Sequence, residues 1–224
     1  VCFDTFKQIV DLSDIEPWME MVDKLDGGKI TREEFLSNHP IVWIGRVMDA
    51  SNLELCSVLL NQISGGASPE EVLKIDSVFE KVCVAKAEFV QLQAMVDTCS
   101  EVIDRMAIVR LDGKGVRTNG YLITAHFGEQ CDACIIIHGE NKPLEHQWPL
   151  SASFYTNSFL HKNGGLFDLT ALATAFDVDG GGHANACGCR IQPLSETGNL
   201  EIREVKLGDV ERNLEAWMHA WSAR

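Results

Sequence analysis

The chain has 224 residues, 46% of them apolar and 23% charged, enough for two modest domains or one large one of an ordinary globular protein. Its net charge of −14 argues against a general basic surface for nucleic acid but leaves room for a local pocket that takes a short nucleotide. No apolar run reaches about 18 residues, so no membrane span is expected. The first residues, "VCFDTFKQIVDLSD", lack the basic start and apolar stretch of a secretion signal. Eight cysteines without such a signal fit a reducing cytoplasm better than a disulfide scaffold. A start at Val1 in mid-pattern, without Met, points to part of something longer.

In chain order, residues 1–10 read as a helix and "DIEPWMEMVDKL" as a second, capped by Asp14 with Pro17 in its first turn. Pro40 is expected to stop the segment that follows. "IVWIGRVMDASNLELCSVLLNQIS" carries apolar residues at helical spacing, and "GGASPEEV" breaks it before Ser68 and Pro69 open a new helix. From there to Ile103 the pattern predicts one extended connector helix, with a single kink. Beyond residue 104 the pattern changes. "RMAIVRL", "CDACIIIHG" and "HQWPLSASFY" read as strands, "GYLITAHFGE" as a helix, and "FDLTALATAF" as a short helix capped at Asp168. "ANACGCRIQ" and "NLEIREV" read as a strand pair before the closing amphipathic helix "DVERNLEAWMHAWSAR". The alternation marks a separate α/β domain.

Three stretches carry candidate chemistry. "DKLDGGKITREEF" overlays a calcium loop with Asp23, Gly28 and Glu34 in place, but Leu25 and Gly27 stand where two oxygen ligands are required. A hard cation that wants six to eight oxygens is not served, and the calcium reading fails. Asp23 and Asp26 are then either helix-end carboxylates before a glycine turn or part of another metal site. "FDVDGGGHANACGCRI" places Gly180, Gly181 and Gly182 directly before His183. Such a backbone can approach an anion closely, and a histidine behind it can donate to a phosphate. The plainer alternative is a glycine turn with an exposed histidine. Cys131, Cys134, Cys187 and Cys189 could hold zinc if their strands were neighbours, although buried cysteine acting as a small hydrophobe is the better default. The lone histidines His39, His126, His138 and His219 have no partner spacing.

"GGGHANACG" resembles the GGGH-x-x-A-x-G signature of the DHHA1 domain, the second domain of DHH-family phosphoesterases, with Cys187 where that family usually has Ala. "MVDKLDGGKITREEF" resembles the stretch of the exopolyphosphatase-related branch that carries a metal-binding aspartate, and "VMDA", "TNGYLITAHF" and "CDACIIIHG" follow in family order. The resemblance, also to nanoRNase and pAp phosphatases, implies an α/β fold in three parts. These are the helical remnant of a DHH metal domain over 1–65, a linker helix over 66–103, and a small DHHA1 substrate-binding domain with a mixed sheet over 104–224. It implies a cytoplasmic Mn²⁺-dependent phosphoesterase acting on a small nucleotide, a short single-stranded oligonucleotide or polyphosphate, with a homodimer as its suggested assembly. Residue by residue, it implies a metal ligand at Asp23, with Asp26 the weaker candidate. It implies a phosphate loop at Gly180, Gly181 and Gly182, and a catalytic and substrate-binding role at His183. The chain departs from the family in lacking the Asp-His-His motif and the early aspartate pair. Two family arginines are replaced, one by Asn157 and one by Gly120, leaving Asn157 and Lys162 as substrate-binding candidates with Arg117 and His161 nearby. The alternative is a catalytically inactive nucleotide-binding or regulatory module of the same family.

Overall fold

The computed structural model describes residues 2–145, 147–162 and 164–224, with only the backbone of residue 2. The chain divides into two compact units, residues 1–94 and 95–224.

The first unit is helical. After α1 (Cys2–Phe6), α2 (Glu16–Asp26) opens with Pro17 in its first turn, where the missing N–H costs nothing. The residue before α2 is Ile15, which makes no side-chain cap, so Asp14 is not the cap that the sequence suggested. α3 (Arg32–Leu36) is started by a capping box in which Thr31 Oγ1 accepts from Glu34 N and Glu34 Oε2 accepts from Thr31 N. Pro40 does not stop a segment. It opens α4 (Pro40–Val47), again in the first turn, with Ile41 N donating to His39 Nδ1. The apolar run expected as one stretch is broken at residues 48–52, and α5 (Leu53–Ser64) restarts it with Asn52 accepting from Leu55 N. The connector is α6 (Pro69–Val72), a break over 73–75, and α7 (Asp76–Cys99). Trp18, Met21, Phe35, Trp43 and Val78 are among the residues that fill this unit's core.

The second unit is built on a six-stranded mixed sheet in the order β1-β2-β3-β4-β6-β5. The connector helix ends earlier than expected, because 100–103 is β1 (Ser100–Ile103). β1 turns at Asp104 and Arg105, both at positive φ, into β2 (Met106–Arg110). β2 runs parallel to β3 (Ala133–His138), and α8 (Gly120–Phe127) is the crossover. β4 (Ser151–Thr156) is shorter than expected: Pro149 makes only an isolated bridge, and His146, where the strand was expected to begin, lies outside the described residues. After α9 (Thr170–Ala173), β5 (Gly181–His183) and β6 (Ala186–Arg190) form a hairpin, and α10 (Leu207–Ser222) closes the chain.

The expected pairing of "ANACGCRIQ" with "NLEIREV" does not occur. β6 pairs with β4 and with the glycine segment β5, while 199–205 contributes one isolated bridge, Leu194 to Leu200. A buried ion pair explains this: Arg203 donates to both oxygens of fully buried Asp209 and to Leu194 O, and so wraps the segment as a loop. One sheet face is the core. Ile108, Ile135, Ile137, Phe154, Cys187 and Cys189 pack there against Leu172, Leu214, Trp217 and Trp221. Trp217 meets Phe154 edge to face, with centroids 5.0 Å apart. The fold class is the expected one, α/β with a mixed sheet, and among the described residues no helix is long and apolar enough to cross a membrane.

Candidate substrate-binding shelf

Cross-strand partners share a face, so the ladder register determines which residues stand opposite the core. One row on that second face is Cys134, Tyr155, Ala186 and His183. The next is Ile136, Ser153, Gly188 and Gly181, and the third is His138, Ser151 and Arg190. α8 covers this face over β3 and part of β4. Beyond it lies a shelf of polar and small residues, with Ser151, Ser153 and Tyr155 part-exposed and His183 exposed at its end.

The glycines shape the shelf in different ways. A Cβ on Gly180 would stand 2.2 Å from Ala173 O, so this position packs under α9. Gly181 (φ 153°) and Gly182 (φ 138°) adopt backbone that other residues rarely take. Nothing lies within 4 Å of where a Gly181 side chain would be, whereas one on Gly182 would press within 2.8 Å of Cys187 Cα. Asp177 fixes the turn into β5. It is 3% exposed and accepts from Arg190 N at 2.8 Å and Arg190 Nη2 at 2.7 Å. The Arg190 guanidinium holds the Asp177 carboxyl down at about 2. At the hairpin tip, Asn185 Oδ1 accepts from Gly165 N at 3.0 Å.

Arg117, in the loop before α8, supplies the shelf's positive charge. Its Nη2 lies 3.4 Å from His138 Nε2, its guanidinium sits 4.9 Å from the centre of the Trp148 ring, and its charge reaches the Tyr155 hydroxyl. Burial, with Arg117 adding to it, pushes His138 down to about 4. Its imidazole is therefore neutral at pH 7, and because arginine can only donate, Nε2 accepts. The α/β unit has seven arginines. Arg105, Arg110, Arg190, Arg203, Arg212 and Arg224 are each ion-paired to a carboxylate, and among the described residues Arg117 alone is not.

The other expected site residues are placed elsewhere. Asn157 is fully buried, and its amide nitrogen donates to Gly128 O and Cys131 O, each at 2.8 Å. Its Oδ1 accepts from Phe159 N, so it staples loops together beneath the surface. His161 contacts Asp132 at 2.9 Å, and Arg105 clasps the same carboxylate in bidentate fashion at 2.7 Å. Lys162 is exposed. Gly120 stands where an arginine was expected, and the reason is local: a Cβ there would be 2.1 Å from Tyr155 Cγ. The Tyr155 ring occupies that space.

Asp23 lies in the last turn of α2 in the helical unit, where Lys29 pairs with it at 3.2 Å and both side chains are largely exposed. Glu34, at the end of the same stretch, is occupied by its capping box and by Lys24 at 2.8 Å. Among the described residues no three His, Cys, Asp or Glu side chains gather as a metal requires, so these residues do not by themselves make a manganese site. The four cysteines do not converge either: Cys134 is on the shelf face, Cys187 and Cys189 on the core face, and burial raises all three thiols. Sequence reasoning passed over Ser153, Tyr155, Trp148 and His138. The polar residues at every second position in "SASFYT" were the available signal for the first two.

No known family profile matches the chain, and no curated protein matches it in sequence. Among solved structures, the pGpG-specific phosphodiesterase PggH from Vibrio cholerae is similar, with a TM-score of 0.72 and 22% identity over 96% of this chain and 69% of that one. An exopolyphosphatase-related protein from Bacteroides fragilis gives 0.43 and 16% over 89% of this chain and 55% of its own. An uncharacterized protein from Helicobacter pylori gives 0.36 and 14% over 97% and 57%. The first likeness establishes a shared fold, and the other two are too slight to carry an argument.

Proposed function

We propose that this chain holds the substrate of a phosphoesterase acting on a small nucleotide or very short oligonucleotide. The observation that carries this reading is the uncommitted Arg117 on the same sheet face as His183, Ser153 and Tyr155. An arginine without a carboxylate partner, on a face that also carries hydroxyls and, at its far end, an exposed histidine, is chemistry suited to a phosphate ester. The GGGH resemblance and the fold shared with a phosphodiesterase support it, and that neighbour's specificity for pGpG puts a linear dinucleotide first among those to try. In this reading Arg117 and His183 bind phosphate oxygens, Ser153 and Tyr155 donate hydrogen bonds, and the small Gly181 and Gly188 keep the shelf open. A manganese centre would take Asp23 together with ligands that this sequence does not supply. A second reading, a nucleotide-binding module without turnover, is favoured by the absence of a ligand cluster among the described residues.

The test is Mn²⁺-dependent release of phosphate or nucleotide from pAp, pGpG, a cyclic dinucleotide and polyphosphate, run beside equilibrium binding of the same compounds. Binding of a dinucleotide that falls about tenfold or more in Arg117→Ala and in His183→Ala, matching the loss of a charge-assisted hydrogen bond, is the expected outcome. Turnover selects the enzyme and binding alone the module. Unchanged affinity in both variants removes the shelf from either reading.

A further inference from the structure

Four of the five tryptophans are core residues, with Trp18, Trp43, Trp217 and Trp221 at 5% exposure or less, whereas Trp148 is 49% exposed. Leaving a large indole in water forfeits the burial that stabilises the other four. Trp148 is also not adrift. Its carbonyl accepts from Glu140 N at 2.7 Å, which ties its backbone to the segment leaving β3, and Pro149 follows it and bridges Glu140. The Arg117 guanidinium lies over the ring, itself held by buried His138, which pairs with Ser151 at the first position of β4. An exposed aromatic ring is thus fixed at one corner of the polar shelf, in contact with its uncommitted arginine. From Ser151 on β4 to His183 on β5 the shelf runs two inter-strand steps across and four residues along, about 16 Å corner to corner, which exceeds what a bare phosphate needs.

We infer that Trp148 is the base-stacking residue of this site, taking the nucleobase of a ligand whose phosphate is held by Arg117. The inference rests on the nucleotide reading of the shelf and adds what that reading lacks, a feature that separates a nucleotide from polyphosphate or a sugar phosphate. Flat π-surfaces stack on indole whatever their hydrogen-bonding edge, so the contact selects for a base without reading which one. Purines, with the larger ring system, gain most. Polyphosphate gains nothing, so the stacking residue argues for nucleotides within the substrate range given above.

The experiment is calorimetric titration of the full chain with GMP, ribose 5-phosphate and inorganic phosphate, comparing wild type with Trp148→Ala and Trp148→Phe. Trp148→Ala should weaken GMP about tenfold, the usual scale for removing one stacked base partner, and leave ribose 5-phosphate unchanged. Trp148→Phe should restore most of the loss. GMP, and not ribose 5-phosphate, should quench part of the wild-type tryptophan fluorescence, and that quenching should vanish in Trp148→Phe. If Trp148→Ala weakens ribose 5-phosphate as much as GMP, Trp148 only positions Arg117, and stacking is overturned. If Trp148→Ala keeps wild-type affinity for GMP while Arg117→Ala loses it, stacking falls and the phosphate-binding role of Arg117 stands. If wild type binds none of the three compounds, both fall together.

Discussion

At the scale of single residues, Gly120 shows how a departure in sequence can be a packing solution. It occupies the first turn of α8, where alanine is ordinarily the better helix former by about 1 kcal/mol. Here a Cβ would meet Tyr155 Cγ at 2.1 Å and Tyr155 Cβ at 2.2 Å, atoms next to the backbone that cannot swing aside. Overpacking of this kind costs about 1–3 kcal/mol, so steric cost should win over propensity. Gly120→Ala is predicted to lower stability in urea denaturation and to disturb ligand binding through the displaced tyrosine. An unchanged midpoint would mean that the ring relaxes freely. The sequence displayed Gly120 only as a missing arginine, because the ring that fills the space arrives from a strand 35 residues away. Asn157 was illegible for a similar reason. Its amide partners, Gly128 and Cys131, lie in another loop, so nothing in its neighbours announced a buried staple. The Gly180–His183 stretch stands out in the sequence because its signal is local, three glycines and a histidine in a row.

At the scale of elements, the glycine segment behaves as a strand rather than a free loop, and its position depends on one carboxylate. Asp177 accepts from both the backbone and the side chain of Arg190, joining the turn before β5 to the last residue of β6. Its pKa, 3.8 for an unperturbed group, is depressed to about 2 in the folded chain. A depressed carboxyl contributes stability that is fully present above the unfolded value and is lost as pH falls through the folded one. The hairpin is therefore predicted to loosen between about pH 4 and pH 2, seen as faster amide exchange in 181–190, and Asp177→Asn should remove that step. At neutral pH the same substitution should cost about 1.5–3 kcal/mol, the range for hydrogen bonds to a charged group. A pH profile with the same step in Asp177→Asn would assign it to another carboxylate. The strand positions of β2, β3 and β6 were readable from apolar and alternating runs. The partner of β6 was not, because Gly181–His183 has no strand propensity and "NLEIREV" has a good deal of it. Tertiary demands decided the pairing: the Arg203–Asp209 ion pair drew the better strand former into a loop.

At the scale of the whole molecule, the helical unit and the α/β unit divide within α7, and acidic residues outnumber basic ones in each. A net charge of −14 sets a limit on any nucleotide ligand, because each phosphate that extends beyond the shelf meets a surface of its own sign. A protein that tracks a long strand does the opposite, gaining affinity with each phosphate neutralised by lysine or arginine and losing it steeply with salt. Of the seven arginines in the α/β unit, six are already engaged by the chain's own carboxylates, which leaves Arg117 and the shelf as the local exception. Affinity for single-stranded oligonucleotides should therefore stop rising after about two or three nucleotides, and its salt dependence should correspond to about one or two phosphate contacts, not to six or more. Titrating a series from two to ten nucleotides at two salt concentrations checks this. Affinity that climbs steadily with length, with a salt slope that climbs alongside it, would require a basic track that the charge distribution does not contain, and it would move the binding surface away from the shelf altogether.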